Sequence, residues 1–386
     1  MLLADARIDP TAIDNWAIRM SSQNGYADVV KLLLADGRVD PTVADNWAIR
    51  MSSQNGYADV VKLLLADGRV DPTAVDNWAI KWSSHNGQAD VVKLLLANGR
   101  VDPTDQDNYA ILLSSDHGHA NVVKLLLDDG RVDPTADGHY AIRWSSVKGH
   151  TDVVRLLLQD GRADPTAANN YAIQYSSENG HADVVELLLE DIRADPTANN
   201  NYAIRMSSQK GHADVVKLLL ADGRADPTAT NNWAVRWSSE NGHADVVKLL
   251  LDDRCVDPTA DDNWAIQWSS QNGHAAVVQL LLADGRADPT ANNNYAIRMS
   301  SQKEYADVVK LLLDDGRVDP TADKNYAIRL SSERSHADHQ SSSSSIHHYH
   351  HYHHYHHYHH WYGKRRSIRL ANSKRSTVYQ DLQENY

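Results

Sequence analysis

Histidine is the residue whose clustering first suggests chemistry in this chain. Ten of its 21 histidines fall between His347 and His360, in a His-His-Tyr register. His347, His348, His350, His351, His353, His354, His356 and His357 offer neutral imidazoles, which suit nickel or zinc. A dedicated zinc site needs ligands whose spacing closes a tetrahedron, and a tripeptide period specifies no such closure. The tract therefore reads as a place for adventitious metal capture; no metal site is assigned and no cofactor is expected. Serine, histidine and aspartate elsewhere would suit nucleophilic catalysis, but they recur periodically. His119, His150, His181, His212, His243 and His274 hold one position in successive units. A catalytic centre needs one asymmetric cluster in a pocket. The sequence thus offers no catalytic residue, and the chain reads as a non-enzyme.

A strict period positions these residues. The tripeptide Asp-Pro-Thr starts at Asp9, Asp40, Asp71, Asp102, Asp133, Asp164, Asp195, Asp226, Asp257, Asp288 and Asp319, always 31 residues apart, and contains all 11 prolines. Residues 14–42 and 45–73 are identical. Such spacing gives every unit the same structural step, as in a solenoid. Within a unit, Asn15 to Asn24 reads as a short helix, with Asp14 or Asn15 accepting a bond from its free N–H groups. Gly25 marks a turn that favours positive φ. Ala27 to Leu34 reads as a second helix, with Asp28 in its first turn, where the helix dipole favours an anion. Helices of about ten residues cannot close a core alone, so stacked neighbours must bury Val29, Val30 and the leucines. The expected fold is an all-α helix-turn-helix solenoid with short inter-repeat loops over residues 1–339. It holds ten complete repeats and a partial repeat at each end. A disordered Ser/His/Tyr-rich and basic tail, 340–386, is expected to follow.

The unit from Asn231 to Leu251 resembles the ankyrin repeat. Gly242-His243 and Val246-Val247-Lys248-Leu249-Leu250-Leu251 match the second half of that family's pattern. The first half departs, because Trp233-Ala234-Val235-Arg236 stands for Thr-Pro-Leu-His and Ser238-Ser239 for Ala-Ala. The unit is also shorter than the usual repeat of about 33 residues, and the shortfall lies where the family builds its β-hairpin finger. The resemblance implies a curved stack that binds an unidentified partner protein on its concave side, through helix ends and loops. In this chain the matching positions vary, and they are the candidate partner-binding residues: Gln23, Asn24, His85, Asn86, Asp116, His117, Val147, Lys148, Glu178, Asn179, Gln209, Lys210, Glu240, Asn241, Gln302 and Lys303, with Asp261 in the loop row.

Other rows carry further expectations. Trp or Tyr recurs at Trp16, Trp47, Trp78 and onward, with a second large side chain four residues later on the same helix face. These pairs read as inter-repeat core or as a partly exposed aromatic ladder. Arg19, Arg50, Arg143, Arg205, Arg236, Arg298 and Arg329 suggest arginine–aspartate bridges between units. The paired serines keep the first helix slim, and their hydroxyls can bond back to a carbonyl one turn earlier. Glu304, Ile192 and Arg254 replace glycines; if those turns keep positive φ, each costs about 1 kcal/mol or more. The unit around Glu304 is then the first to fray.

Composition bounds the rest. The net charge is −13 although the tail has six basic residues against two acidic ones, so the repeats are more acidic than the whole chain. An acidic array repels a nucleic-acid backbone, and no nucleic acid is expected on it. One cysteine, Cys255, excludes an internal disulfide and fits a reducing compartment. No apolar run is long enough to span a membrane. A cytoplasmic or nuclear protein is expected, with the basic cluster at Lys364-Arg365-Arg366 open to reading as a nuclear-import signal, a nucleic-acid contact or a disordered basic tail. Neither end shows a polar cap, which leaves three readings open: association through the ends, packing of the tail there, or a partial or misread coding sequence. Two other readings compete with the scaffold: a metal- or pH-responsive module acting through the His/Tyr tail, and a truncated or decaying repeat gene product.

Overall fold

The computed structural model describes residues 7–321 and 329. The partial C-terminal repeat, the His/Tyr tract and the basic tail lie outside them, apart from Arg329. Among the described residues the chain forms twenty helices and no strand, from α1 (Ala12–Gln23) and α2 (Ala27–Ala35) to α19 (Ala291–Gln302) and α20 (Ala306–Asp315). They alternate as ten pairs. Each first helix packs against the first helices of neighbouring units, and each second helix against the neighbouring second helices. The core runs between the two rows: in one unit Ile111, Val122, Val123 and Leu126 are fully buried. Burying such a side chain stabilises by about 1.5–3 kcal/mol. The identical first two units show where that burial comes from, because Val29 is 45% exposed and Val60, its equivalent one unit on, is 0% exposed. The neighbour closes the core.

The start of the first helix differs from the capped helix expected from sequence. Ile13, Asp14 and Asn15 adopt φ of 54°, 55° and 53°, and no side chain caps the helix. The same three positions are left-handed in all ten units. Left-handed backbone costs roughly 1–2 kcal/mol for most L-residues, least for Asn and Asp, which explains the Asn-Asn and Asp-Asn pairs there. Asn15 spends its oxygen across the unit boundary: its Oδ1 accepts a bond from the Asp40 N–H at 2.9 Å. This clasp recurs down to Asn294 and Asp319 at 2.8 Å. His139 takes the role through Nδ1 toward Asp164 at 3.0 Å.

Two further rows lock the units. In each loop the Asp carboxylate accepts from the Thr N–H and hydroxyl two residues on, as Asp133 does from Thr135 at 2.8 and 2.7 Å. Arg131 pairs with Asp129 at 2.7 Å and donates through Nη1 to the Val101 carbonyl of the preceding unit at 2.9 Å. Arginine–aspartate pairing therefore falls mainly on this row and within a unit. In the row that sequence favoured, Arg50 and Arg205 donate to carbonyls of their own left-handed turns. Arg236 does bridge to Asp261 of the next unit. Cys255 stands where the locking row otherwise has arginine.

The glycine departures separate into two kinds. Glu304 does take φ of 62°. Ile192 and Arg254 are not left-handed, because the preceding Asp191 and Asp253 run extended at ψ of 107° and 110°. Ile192, 91% exposed, therefore carries none of the strain expected of it.

Candidate partner-facing surface

The candidate residues sit at the last turn of each first helix and the turn that follows. A glycine there brings the next unit close. Gly149 has φ of 75°, and a Cβ on it would lie 2.5 Å from His181 Nδ1. Nε2–H of the same imidazole donates to the Val147 carbonyl at 2.9 Å. His119, His150, His212, His243 and His274 repeat this bond at 2.8–3.0 Å. Because a carbonyl only accepts, the neutral Nε2–H tautomer suffices.

Burial holds the His119 and His243 imidazoles below the ordinary 6.5, and charge repulsion from neighbouring histidines adds to it. The folded chain then binds fewer protons than the unfolded chain, so stability falls as pH drops below about 6.5. A second loss begins below the ordinary carboxyl value of 3.8, because Thr hydroxyls and then Thr N–H groups hold Asp40, Asp102 and Asp133 low. Denaturant midpoints measured across both ranges should fall in two stages. A midpoint that stays flat through the imidazole range would count against the histidine stage.

In four of the candidate pairs the first residue bonds to the next unit's aromatic. Trp47 Nε1 donates to Gln23 at 3.3 Å, and Trp233 Nε1 donates to Gln209 at 3.3 Å. The Tyr202 hydroxyl donates to Glu178 at 2.6 Å, and Trp264 Nε1 donates to Glu240 at 2.9 Å. Asp116, 9% exposed, takes Lys148 Nζ at 2.7 Å. His85 lies between Trp82 and His117, with ring centroids 5.1 and 4.3 Å away. Val147 and Gln302 are half-buried. Of the second residues, Asn86, Asn179 and Asn241 donate to carbonyls of the preceding unit. Asn24, His117, Lys148, Lys210 and Lys303 project exposed from the row.

The aromatic pairs form a half-buried ribbon beside this row. Tyr140, Trp144, Tyr171, Tyr175 and Tyr202 follow one another at centroid distances of 5.7, 6.3, 4.1 and 5.5 Å. A second run, from Trp233 to Tyr295, spans 4.9–6.4 Å per step. Guanidinium groups lie on the rings, with Arg50 5.7 and 5.4 Å from Trp47 and Trp78. Ribbon and helix ends together present rings, amides and cations side by side. Sequence reading missed that Gln23, Glu178, Gln209 and Glu240 are ring partners; the 24-residue offset from an aromatic back to an amide or carboxylate was the available signal.

Among the described residues, no group of three or more His, Cys, Asp or Glu side chains is arranged to hold a metal ion. No helix among them is long and apolar enough to cross a membrane. The histidines from His347 to His357 lie outside the described residues.

No curated protein matches the sequence significantly. Solved structures similar to the chain include the ankyrin repeat protein EF0377, at 22% identity and a TM-score of 0.39, covering 45% of this chain and 96% of that one. Another is the ankyrin repeat domain of Bcl-3, a member of the IkappaB family, at 20% identity and a TM-score of 0.38, covering 48% of this chain and 90% of that one. The family model for ankyrin repeats, in three copies, matches residues 77–169, 162–231 and 232–326, which is more than half of the sequence. With helix pairs stacked through the same Gly-His turns, the chain belongs to the ankyrin-repeat family.

Proposed function

We propose that the array is a non-enzymatic scaffold that binds a partner protein through the concave face and helix-end row of its repeats. Ankyrin repeats are generally protein-interaction modules. One observation supports this reading above the others. The contacts that lock the units are nearly constant, while the exposed row changes between Asn24, His117 and the lysines Lys148, Lys210 and Lys303. A folded partner is the ligand such a surface fits, and a membrane or a nucleic acid is not. We assign the scaffold to residues 1–339, with 340–386 as a separate tail and the cytoplasm as its place of action. Affinity capture with the full chain should recover a partner that is lost on Lys210→Glu with Lys303→Glu. The denaturation midpoint should stay unchanged. A partner indifferent to both substitutions would remove this row from the binding surface.

A further inference from the structure

At the end of eight of the ten second helices, an aspartate and the arginine two residues on form a two-bond fork. Arg131 Nε and Nη2, for example, donate to the two Asp129 carboxylate oxygens at 2.7 and 2.9 Å. The third unit departs from this pattern. Asn98 takes the aspartate's place, and Arg100 Nε donates to its Oδ1 at 3.0 Å. The second bond of the fork is missing among the described residues, because an amide nitrogen is a donor and cannot accept from Nη2. The backbone fits either residue: one helix ends at Asn98 with Gly99 at φ of 75°, and the next second helix ends at Asp129 with Gly130 at φ of 80°.

We propose that Asn98 is a site of spontaneous covalent modification, converting to aspartate and isoaspartate, and that the aspartate product completes the arginine fork of its unit. The Gly99 backbone nitrogen, after losing its proton to hydroxide, attacks Asn98 Cγ. The new N–C bond forms, the Cγ–Nδ2 bond breaks, and ammonia leaves with a proton taken from water. Water then opens the resulting succinimide at either carbonyl; opening at Cγ restores the backbone and leaves aspartate. The net change is one water consumed and one ammonia released, with no oxidant or reductant. Conversion to aspartate turns residues 94–100, Leu-Leu-Leu-Ala-Asn-Gly-Arg, into the sequence that residues 32–38, 63–69 and 218–224 already have. The new carboxylate oxygen then accepts from Arg100 Nη2, and the pair gains a charge-assisted bidentate contact.

The same unit supplies the comparison, in Asn86-Gly87 of its inter-helix turn. The two glycine nitrogens are held alike, Gly99 by the Leu96 carbonyl at 3.1 Å and Gly87 by the Ser84 carbonyl at 3.2 Å. The surroundings differ in two ways. Nothing lies within 4 Å of a Cβ placed on Gly99, whereas at Gly87 the His119 ring is 2.5 Å away and fills that space. Asn86 is also held at both amide atoms: its Nδ2 donates to the Gln54 carbonyl at 2.9 Å, and its Oδ1 meets His85 Nδ1 at 2.7 Å. Swinging Cγ over the glycine nitrogen breaks a bond to fixed backbone at Asn86. At Asn98 the oxygen's partner is an exposed arginine side chain that can follow it. Conversion at Asn86 would also set a carboxylate against the Gln54 carbonyl, so there the product loses a contact.

The test holds the full chain at mildly alkaline pH in water enriched in oxygen-18, folded and in denaturant, and then cleaves it after Lys and Arg in ordinary water. Ring opening by labelled water sets the converted 94–100 peptide apart in mass from its native aspartate counterparts. Folded, Asn98 should convert several-fold to about tenfold faster than Asn86, the cost of breaking one hydrogen bond expressed as a rate. In denaturant the two rates should come together. Equal folded rates, faster conversion at Asn86, or a difference that persists in denaturant would overturn the proposal. A second arm compares Asn98→Asp, expected to raise the denaturation midpoint, with Asn86→Asp, expected to lower it. A midpoint that fails to rise with Asn98→Asp would show that no fork is completed.

Discussion

Replacing Gly149 by alanine should destabilise the array by about 3 kcal/mol or more. Two costs add. Alanine at φ of 75° pays roughly 1–2 kcal/mol for left-handed backbone. Its Cβ would also lie 2.5 Å from His181 Nδ1 and 2.8 Å from Cε1. The ring must then move, at the typical overpacking cost of about 1–3 kcal/mol, and it risks the bond to the Val147 carbonyl. Gly161→Ala is the control: φ is 81°, but nothing lies within 4 Å of the added Cβ. It should pay only the backbone cost, about 1 kcal/mol. Chemical denaturation of both variants decides the matter, and equal losses would mean that the close approach of His181 contributes nothing.

The opposite sign is expected for the second serine of each pair. The first serine bonds back to its own helix, as Ser145 does to the Ile142 carbonyl at 3.3 Å. The second, exemplified by Ser146, Ser177 and Ser208, is fully buried, and its hydroxyl has no hydrogen-bond partner among the described residues. A buried hydroxyl left without a partner costs roughly 1–3 kcal/mol. Ser→Ala at each of these positions should therefore stabilise by about 1 kcal/mol, seen as a higher denaturant midpoint at unchanged slope. Ser145→Ala should change little. A loss of stability at Ser146 would show that its hydroxyl is satisfied after all.

Much of the fold was legible because it is written eleven times. The spacing of Asp-Pro-Thr announced a solenoid, and Val-Val-x-Leu-Leu-Leu announced a second helix packed on its neighbours. The first turn of the first helix was misread for a physical reason. Asp14-Asn15 before an apolar stretch is an N-cap signal, yet the same residues tolerate left-handed backbone best. Sequence alone does not say which property is used, and the shortened unit needs the second. The candidate surface was legible in position but not in partnership. Glu178 and Glu240 vary as surface residues do, yet they meet Tyr202 and Trp264 of the following units. Such contacts depend on how far one unit rises over the next, which no single unit encodes.

The clasps also set a rule for how the chain can change length. Each row joins residues at a fixed offset: 25 positions from Asn to the next loop, 30 back from Arg, 34 back from His. Copying or deleting one whole unit leaves every donor opposite an acceptor. Inserting any other number of residues throws all the rows out of phase at once. Selection on length therefore acts like a reading frame, and it accounts for 310 positions without a slip.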